Sequence, residues 1–229
     1  MSHSKIDYRL KRDFYPLLEE SGFVRTKQPR EYESLRDGVT CSIQVDPLGS
    51  GYPEGWMGTS GNGFLTRIAF KYVRHPPYVE RWPDVLLRGV GGFDVSGYLQ
   101  RTLGSPGGPS GYVWDLEFMT PDEAVADLVA AYQTGGEAFF DLWANPATAW
   151  EELHKPEVDE DMSDLGGVYV GSNLEPTTIH LIEFHLKIAD LLGLKADQIR
   201  LARLMIEKLY PGEPSRDFWQ NRLAELEAN

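Results

Sequence analysis

The stretch Val39-Thr40-Cys41-Ser42-Ile43-Gln44-Val45-Asp46 alternates without a break. Val39, Cys41, Ile43 and Val45 fall on one side, and Thr40, Ser42, Gln44 and Asp46 on the other. That two-residue period is a strand with one apolar face. Phe64–Val73 repeats the pattern, with Phe64, Ile68, Phe70 and Tyr72 opposed to Arg67 and Lys71. Tyr112–Met119 does so again: Tyr112, Trp114, Leu116 and Phe118 alternate with Val113, Asp115 and Glu117. A short strand is also expected at Glu31–Leu35, around Tyr32. Half-apolar strands of this kind predict an antiparallel sheet wet on one side.

On either side of these strands the period becomes helical. Ile6, Leu10, Phe14, Leu17 and Leu18 form one stripe over residues 4–21. Pro16 inside that stripe predicts a kink or a late start, and Gly22 a stop. Thr120-Pro121-Asp122-Glu123 reads as a helix start: threonine cap, proline at the first position, glutamate three residues on. Ala124, Leu128, Ala131 and Tyr132 follow as a stripe that Gly135-Gly136 is expected to end. Phe139, Phe140, Leu142 and Trp143 make an aromatic segment, and Asn145-Pro146 opens a further turn through Trp150 and Leu153. Three helices are expected at about 178–192, 196–210 and 214–227. Their stripes are Ile179, Ile182, Leu186 and Ala189; Ile199, Ala202, Met205, Ile206 and Leu209; and Phe218, Trp219, Leu223 and Leu226. The fold class is therefore α+β, an antiparallel sheet packed with helices. It divides into a sheet domain (1–153), an acidic linker (154–176) and a C-terminal helical extension (177–229).

The chain has 229 residues and a formal charge of −13, unevenly placed. Residues 1–110 hold 14 basic and 12 acidic side chains; residues 111–229 hold 8 and 23. Acidity disfavours duplex DNA or an anionic membrane as partner, since both need a basic footprint. No stretch reaches the roughly 20 apolar residues that span a bilayer. Met1–Arg12 is polar, without the apolar region of a secretion signal. A cytoplasmic protein is expected. Cys41 is the single cysteine, which excludes an internal disulfide and a cysteine-based zinc site. Fourteen of the 23 glycines lie within residues 49–111, which predicts long loops between the strands.

Several of these features occur together in one known family. From about Tyr8 to Leu153 the chain resembles an uncharacterised, mainly bacterial family, domain of unknown function 4304. The residues that carry the likeness are Leu18-Glu19-Glu20-Ser21-Gly22-Phe23, then Tyr32, then Cys41-Ser42-Ile43-Gln44, then Phe64-Leu65-Thr66-Arg67-Ile68, with a helical tail over Asp127–Leu153. The resemblance implies a compact α+β domain with an antiparallel sheet, and no activity.

Motifs with definite chemistry are incomplete. Gly58, Gly61 and Gly63 lack the Lys-Ser/Thr of a phosphate loop. Gly89-Val90-Gly91-Gly92 does not sit in a strand–glycine–helix unit, and Gly58-Thr59-Ser60-Gly61-Asn62 lacks the final glycine of a nucleophile elbow. His180 and His185 are five apart rather than four, which breaks the zincin pattern; His180 and Glu183 are expected to share a surface hydrogen bond. The run Asp159–Asp164 lacks the glycine and glutamate of a calcium loop. Cys41 alternates inward and is expected to be an inert thiol.

Two functional classes remain. The favoured one is a non-catalytic module that binds a basic protein, for example an immunity-type inhibitor of a basic effector. Its contacts would come from the loop aromatics Trp56 and Trp82 and from Asp159, Asp161 and Asp164. The alternative is a small-ligand binder or enzyme whose site lies on the polar sheet face beneath the glycine-rich loops. Gln44, Arg67, Lys71, Asp115 and Glu117 would line it. Neither class calls for a metal or a cofactor. A homodimer through the C-terminal helices fits either.

Overall fold

A computed structural model describes residues 4–36, 38–48, 61–72, 95–102, 105, 111–154, 168–169 and 179–228. The N-terminal helical stripe forms as two helices, α1 (Ser4–Arg9) and α2 (Tyr15–Glu20), joined by a π-helical turn over Leu10–Phe14. That turn is where the expected kink falls. It leaves Pro16 in the first turn of α2, where a missing N–H breaks no bond. Gly22 ends α2 at φ +84°, with Phe23 N–H donating to Leu18 O at 2.9 Å and Gly22 N–H to Glu19 O at 3.1 Å. Such a stop needs the left-handed region that glycine enters freely.

Seven strands form one antiparallel sheet among the described residues: β1 (Val24–Arg25), β2 (Glu31–Arg36), β3 (Val39–Pro47), β4 (Gly63–Tyr72), β5 (Val95–Leu99), β6 (Val113–Asp115) and β7 (Val168–Tyr169). The order is β1-β2-β3-β4-β5-β7, with β6 also paired to β4. β3 and β4 are the long central pair, in a register that sets Cys41 opposite Phe70 and Gln44 opposite Arg67. The expected strand over Tyr112–Met119 is cut to three residues. After Asp115 the chain turns, Phe118 N–H donates to Asp115 O at 3.1 Å, and the Phe118 ring is 51% exposed rather than in line with Trp114. β5 and β7 escape the sequence reading because each is short; one sits in the glycine-rich region and the other in the acidic linker.

The helices after the sheet are α3 (Pro121–Ala131), α4 (Glu137–Ala144), α5 (Pro146–Leu153), α6 (Ile179–Leu191), α7 (Lys195–Lys208) and α8 (Pro214–Ala228). The start of α3 carries a complete capping box: Glu123 N–H donates to Thr120 Oγ1 at 3.3 Å and Thr120 N–H to Glu123 Oε2 at 2.7 Å. Gly135-Gly136 does not end the helix as expected. Tyr132–Gly136 is a π-helical turn that runs straight into α4, and both glycines are buried in it. Gly136 keeps a helical backbone and lies against the Tyr132 ring, where a Cβ would come within 2.6 Å. The glycines serve close packing here rather than a break.

The main core lies between one face of the sheet and a helical layer. Cys41, Ile43, Ile68 and Phe70 face Leu10, Phe14, Leu128, Phe139 and Trp143. The other face is drier than the alternation predicts. Ser42, Leu65, Ala69 and Val113 are buried on it, and Leu48, Leu65 and Val113 form a small apolar cluster with Tyr98 packed against them. A second core gathers the expected stripes of the last three helices: Ile182, Leu186 and Ala189 with Leu201, Met205, Leu209 and Trp219. α6 belongs to both cores, because Leu181, Phe184 and Ile188 on its other side join the sheet core. The sequence reading saw only one of those two faces.

Gly63 starts β4 so close to β6 that a Cβ would come within 2.2 Å of the Trp114 carbonyl oxygen, whereas Gly111 has open space around it. Gly63→Ala is therefore expected to cost about 1–3 kcal/mol in urea denaturation, and Gly111→Ala to stay within about 0.5 kcal/mol.

Candidate functional site

The five residues expected on the polar sheet face separate into distinct settings. Gln44 and Arg67 are opposite one another on β3 and β4, and the Arg67 guanidinium donates to Gln44 Oε1. Arg67 also lies 3.9 Å from Asp46. Burial raises the Asp46 carboxyl above its ordinary range, with Arg67 pulling the other way. Lys71 is opposite Thr40, four residues along β4 from Arg67 and so about 13 Å away along the strand. Asp115 is fully buried at the end of β6, where its Oδ1 accepts Glu117 N–H at 3.1 Å. Glu117 is exposed in the turn that follows. Hence Gln44, Arg67 and Asp46 form one paired group, and Lys71, Asp115 and Glu117 lie apart from it.

A second polar group, missed in the sequence, lies at the end of the sheet beneath α3. Asp127 accepts from the Trp114 indole at 2.9 Å, from Thr102 N–H at 3.4 Å and from the Thr102 hydroxyl. Arg101 is drawn into the same place; its guanidinium donates to Ser105 O at 2.9 Å. Burial lowers the Arg101 pKa, and Asp127 and Asp115 oppose that shift. The available signal was Asp127 flanking the buried Ala124–Leu128–Ala131 stripe, a carboxylate too close to the core to stand in water.

The reactive side chains are held in unreactive forms. Cys41 is buried, and burial pushes its thiol up to about 12, so it stays protonated. His185 is 1% exposed, its Nδ1 bonds to Leu181 O at 2.8 Å, and burial pulls its pKa down to about 4. Glu183 is buried rather than on the surface; the His180 side chain is outside the described residues. A small crevice is lined by Ile6, Asp7, Leu10, Arg30, Val45, Pro47 and Phe64, with room for about one water molecule. At its edge Arg30 donates to both Asp7 oxygens, at 2.7 and 3.0 Å. None of the five expected residues lines it. Trp56, Trp82, Asp159, Asp161 and Asp164 lie outside the described residues. Among the described residues there is no cluster of three or more histidine, cysteine or acidic side chains fit to hold a metal ion, and no helix long and apolar enough to cross a membrane.

Compared with known protein families, curated proteins and solved structures, the chain matches none.

Two outcomes follow from this geometry. Asp127→Ala is expected to lose about 1–3 kcal/mol in urea denaturation, because it strips the Trp114 indole and Thr102 of their acceptor, while Lys71→Ala and Glu117→Ala stay within about 0.5 kcal/mol. Cys41 is expected to react with a thiol reagent only at the rate of unfolding; labelling of the native protein within seconds at pH 8 would contradict its burial.

Proposed function

We propose that this chain is a non-catalytic, cytoplasmic protein-interaction module that binds a basic protein, an immunity-type inhibitor of a basic effector being one concrete form. The observation that carries the reading is the pairing of Arg67 with Gln44 and Asp46. The polar groups of the outer sheet face satisfy one another rather than gather around an open cavity. Cys41 and His185, the groups best suited to nucleophile and base, are buried in the cores. The resemblance of residues 8–153 to domain of unknown function 4304 is compatible with this reading and lends it no activity.

Charge supports a basic partner. Residues 111–154 hold nine acidic side chains and no lysine or arginine. Several of the nine are already answered within the molecule: Asp122 by Arg9 and Arg12, Asp141 by Arg36, and Asp127 by Trp114 and Thr102. Residues 155–178 add six acidic side chains against Lys155 alone. That second set is the reserve of charge proposed to meet the partner, with Trp56 and Trp82 as its aromatic contacts. Opposite charge at a contact speeds association and fades as salt rises.

The test is capture from native lysate at low salt, with the wild type beside a variant carrying Asp159→Lys, Asp161→Lys and Asp164→Lys. A stoichiometric basic partner that is lost at about 0.5 M salt and lost from the triple variant is the expected result. A partner held equally well by both proteins, or the absence of any stoichiometric partner, overturns the proposal.

A further inference from the structure

His185 occupies a particular place on α6. At 3.6 residues per turn, successive side chains are about 100° apart around the helix. Leu181, Phe184 and Ile188 then face the sheet core, Ile182, Leu186 and Ala189 face the second core, and position 185 falls on the boundary between them. Its neighbours confirm that placement. Trp150 of α5 packs against both cores, and the His185 ring lies 6.4 Å from the Trp150 ring and 6.0 Å from the His154 ring. His154 itself stacks on Trp150 at 4.1 Å. The seam between the two parts of the molecule is thus filled by an aromatic group with a titratable ring at its centre.

We propose that this seam is an acid-sensitive catch, and that protonating His185 lets α7 and α8 part from α6 while the sheet core stays closed. The charges that face His185 favour this. His154 on α5 and Arg200 on α7 both oppose a positive charge there. The sheet side of α6 offers only the aromatic rings of Phe70 and Tyr72, through Phe184. On α6 itself the other ionisable groups are Glu183 and Lys187, one step to either side and turned away from position 185, and Asp190 near its end. Asp190 lies 3.5 Å from Arg222 of α8, a contact that weakens as carboxylates protonate. The two faces of α6 differ in their holding power. Phe184 packs on Phe70, Tyr72 and Trp143 at 5.6–5.9 Å on the sheet side, so the second core is the one that yields.

The direction follows from linkage. In the closed form His185 takes a proton only near pH 4, against an ordinary 6.5 once exposed. Between those values the open form binds more protons, so the closed form loses stability as pH falls from about 6.5 and the loss is complete below about 4. Above 6.5 both forms are neutral and the effect vanishes.

Hydrogen exchange resolved by segment tests the proposal. From pH 7 to 4.5, after correction for intrinsic exchange, opening of residues 195–228 is expected to rise on the order of 10²-fold while β3 and β4 keep their protection. His185→Phe is expected to abolish most of that rise. Equal loss of protection in the sheet and in α7–α8, or an unchanged pH profile in His185→Phe, overturns it. Should that variant fail to fold, NMR titration of the His185 ring in the wild type decides: a midpoint below about 5 that tracks exchange in α7–α8 supports the catch, and an ordinary midpoint overturns it.

Discussion

Phe70 is the contact on which the rest of this fold depends. It sits on the central strand β4, fully buried, opposite Cys41. Its ring stacks on Trp143 at 5.3 Å and packs against Phe139 at 5.8 Å, both from α4, and against Phe184 of α6 at 5.6 Å. One side chain therefore ties the sheet, the middle helices and the C-terminal extension together. Buried aromatic rings of this size dominate core energies, and removing one typically costs about 3–5 kcal/mol. The Tyr72 hydroxyl, next on the same face, donates to the Trp143 carbonyl and fixes the same helix from its end. The division into a sheet domain and an extension is real in chain order, yet the packing joins them through this cluster.

Period and punctuation made most of that fold legible. The alternation at Val39–Asp46 and Phe64–Tyr72 named the two central strands and their inward faces. Thr120 to Glu123 named a helix start, because a capping box is a local bond pattern that needs nothing from the rest of the chain. What escaped depends on distant partners. The strand after Tyr112 stops at Asp115 because the side chain of Asp115 captures the Glu117 amide and turns the backbone. Gly135-Gly136 reads as a stop until Tyr132 is placed against it. α6 looked one-sided because His185, Glu183 and Lys187 interrupt its second stripe, although all three are buried. The candidate polar face was half legible. Alternation correctly set Gln44 beside Arg67, but it carries no information on Asp127 and Arg101, which meet only when α3 folds over the sheet end.

The charge asymmetry of the sequence has a structural counterpart. Arginines from the first half reach carboxylates of the second across more than a hundred residues. Arg9 forms a two-bonded pair with Asp122, both at 2.6 Å, and Arg36 meets Asp141 at 3.1 Å while its guanidinium lies over the Phe23 and Phe140 rings. Exposed pairs of this kind add little to stability singly. Their effect is on charge: they cancel part of the repulsion that nine carboxylates without a cation would exert on α3, α4 and α5. The N-terminal helices are the natural source, since α1 packs on α3 and brings Arg9 and Arg12 over its first turn.

That cancellation changes where an external partner can act. A carboxylate already bound to an arginine at 2.6 Å gains little from a second cation, because the new contact must compete with the old one. The helical face of residues 111–154 is therefore a weaker lure for a basic protein than its composition suggests. Residues 155–178 differ in composition alone: six acidic side chains, one lysine, and no apolar run long enough to draw them into a core. Charge that the fold does not use is charge free to steer association, and its pull would fall with salt as the Debye length shortens. The argument for an interaction role thus moves from the overall acidity of the chain to a single segment of 24 residues.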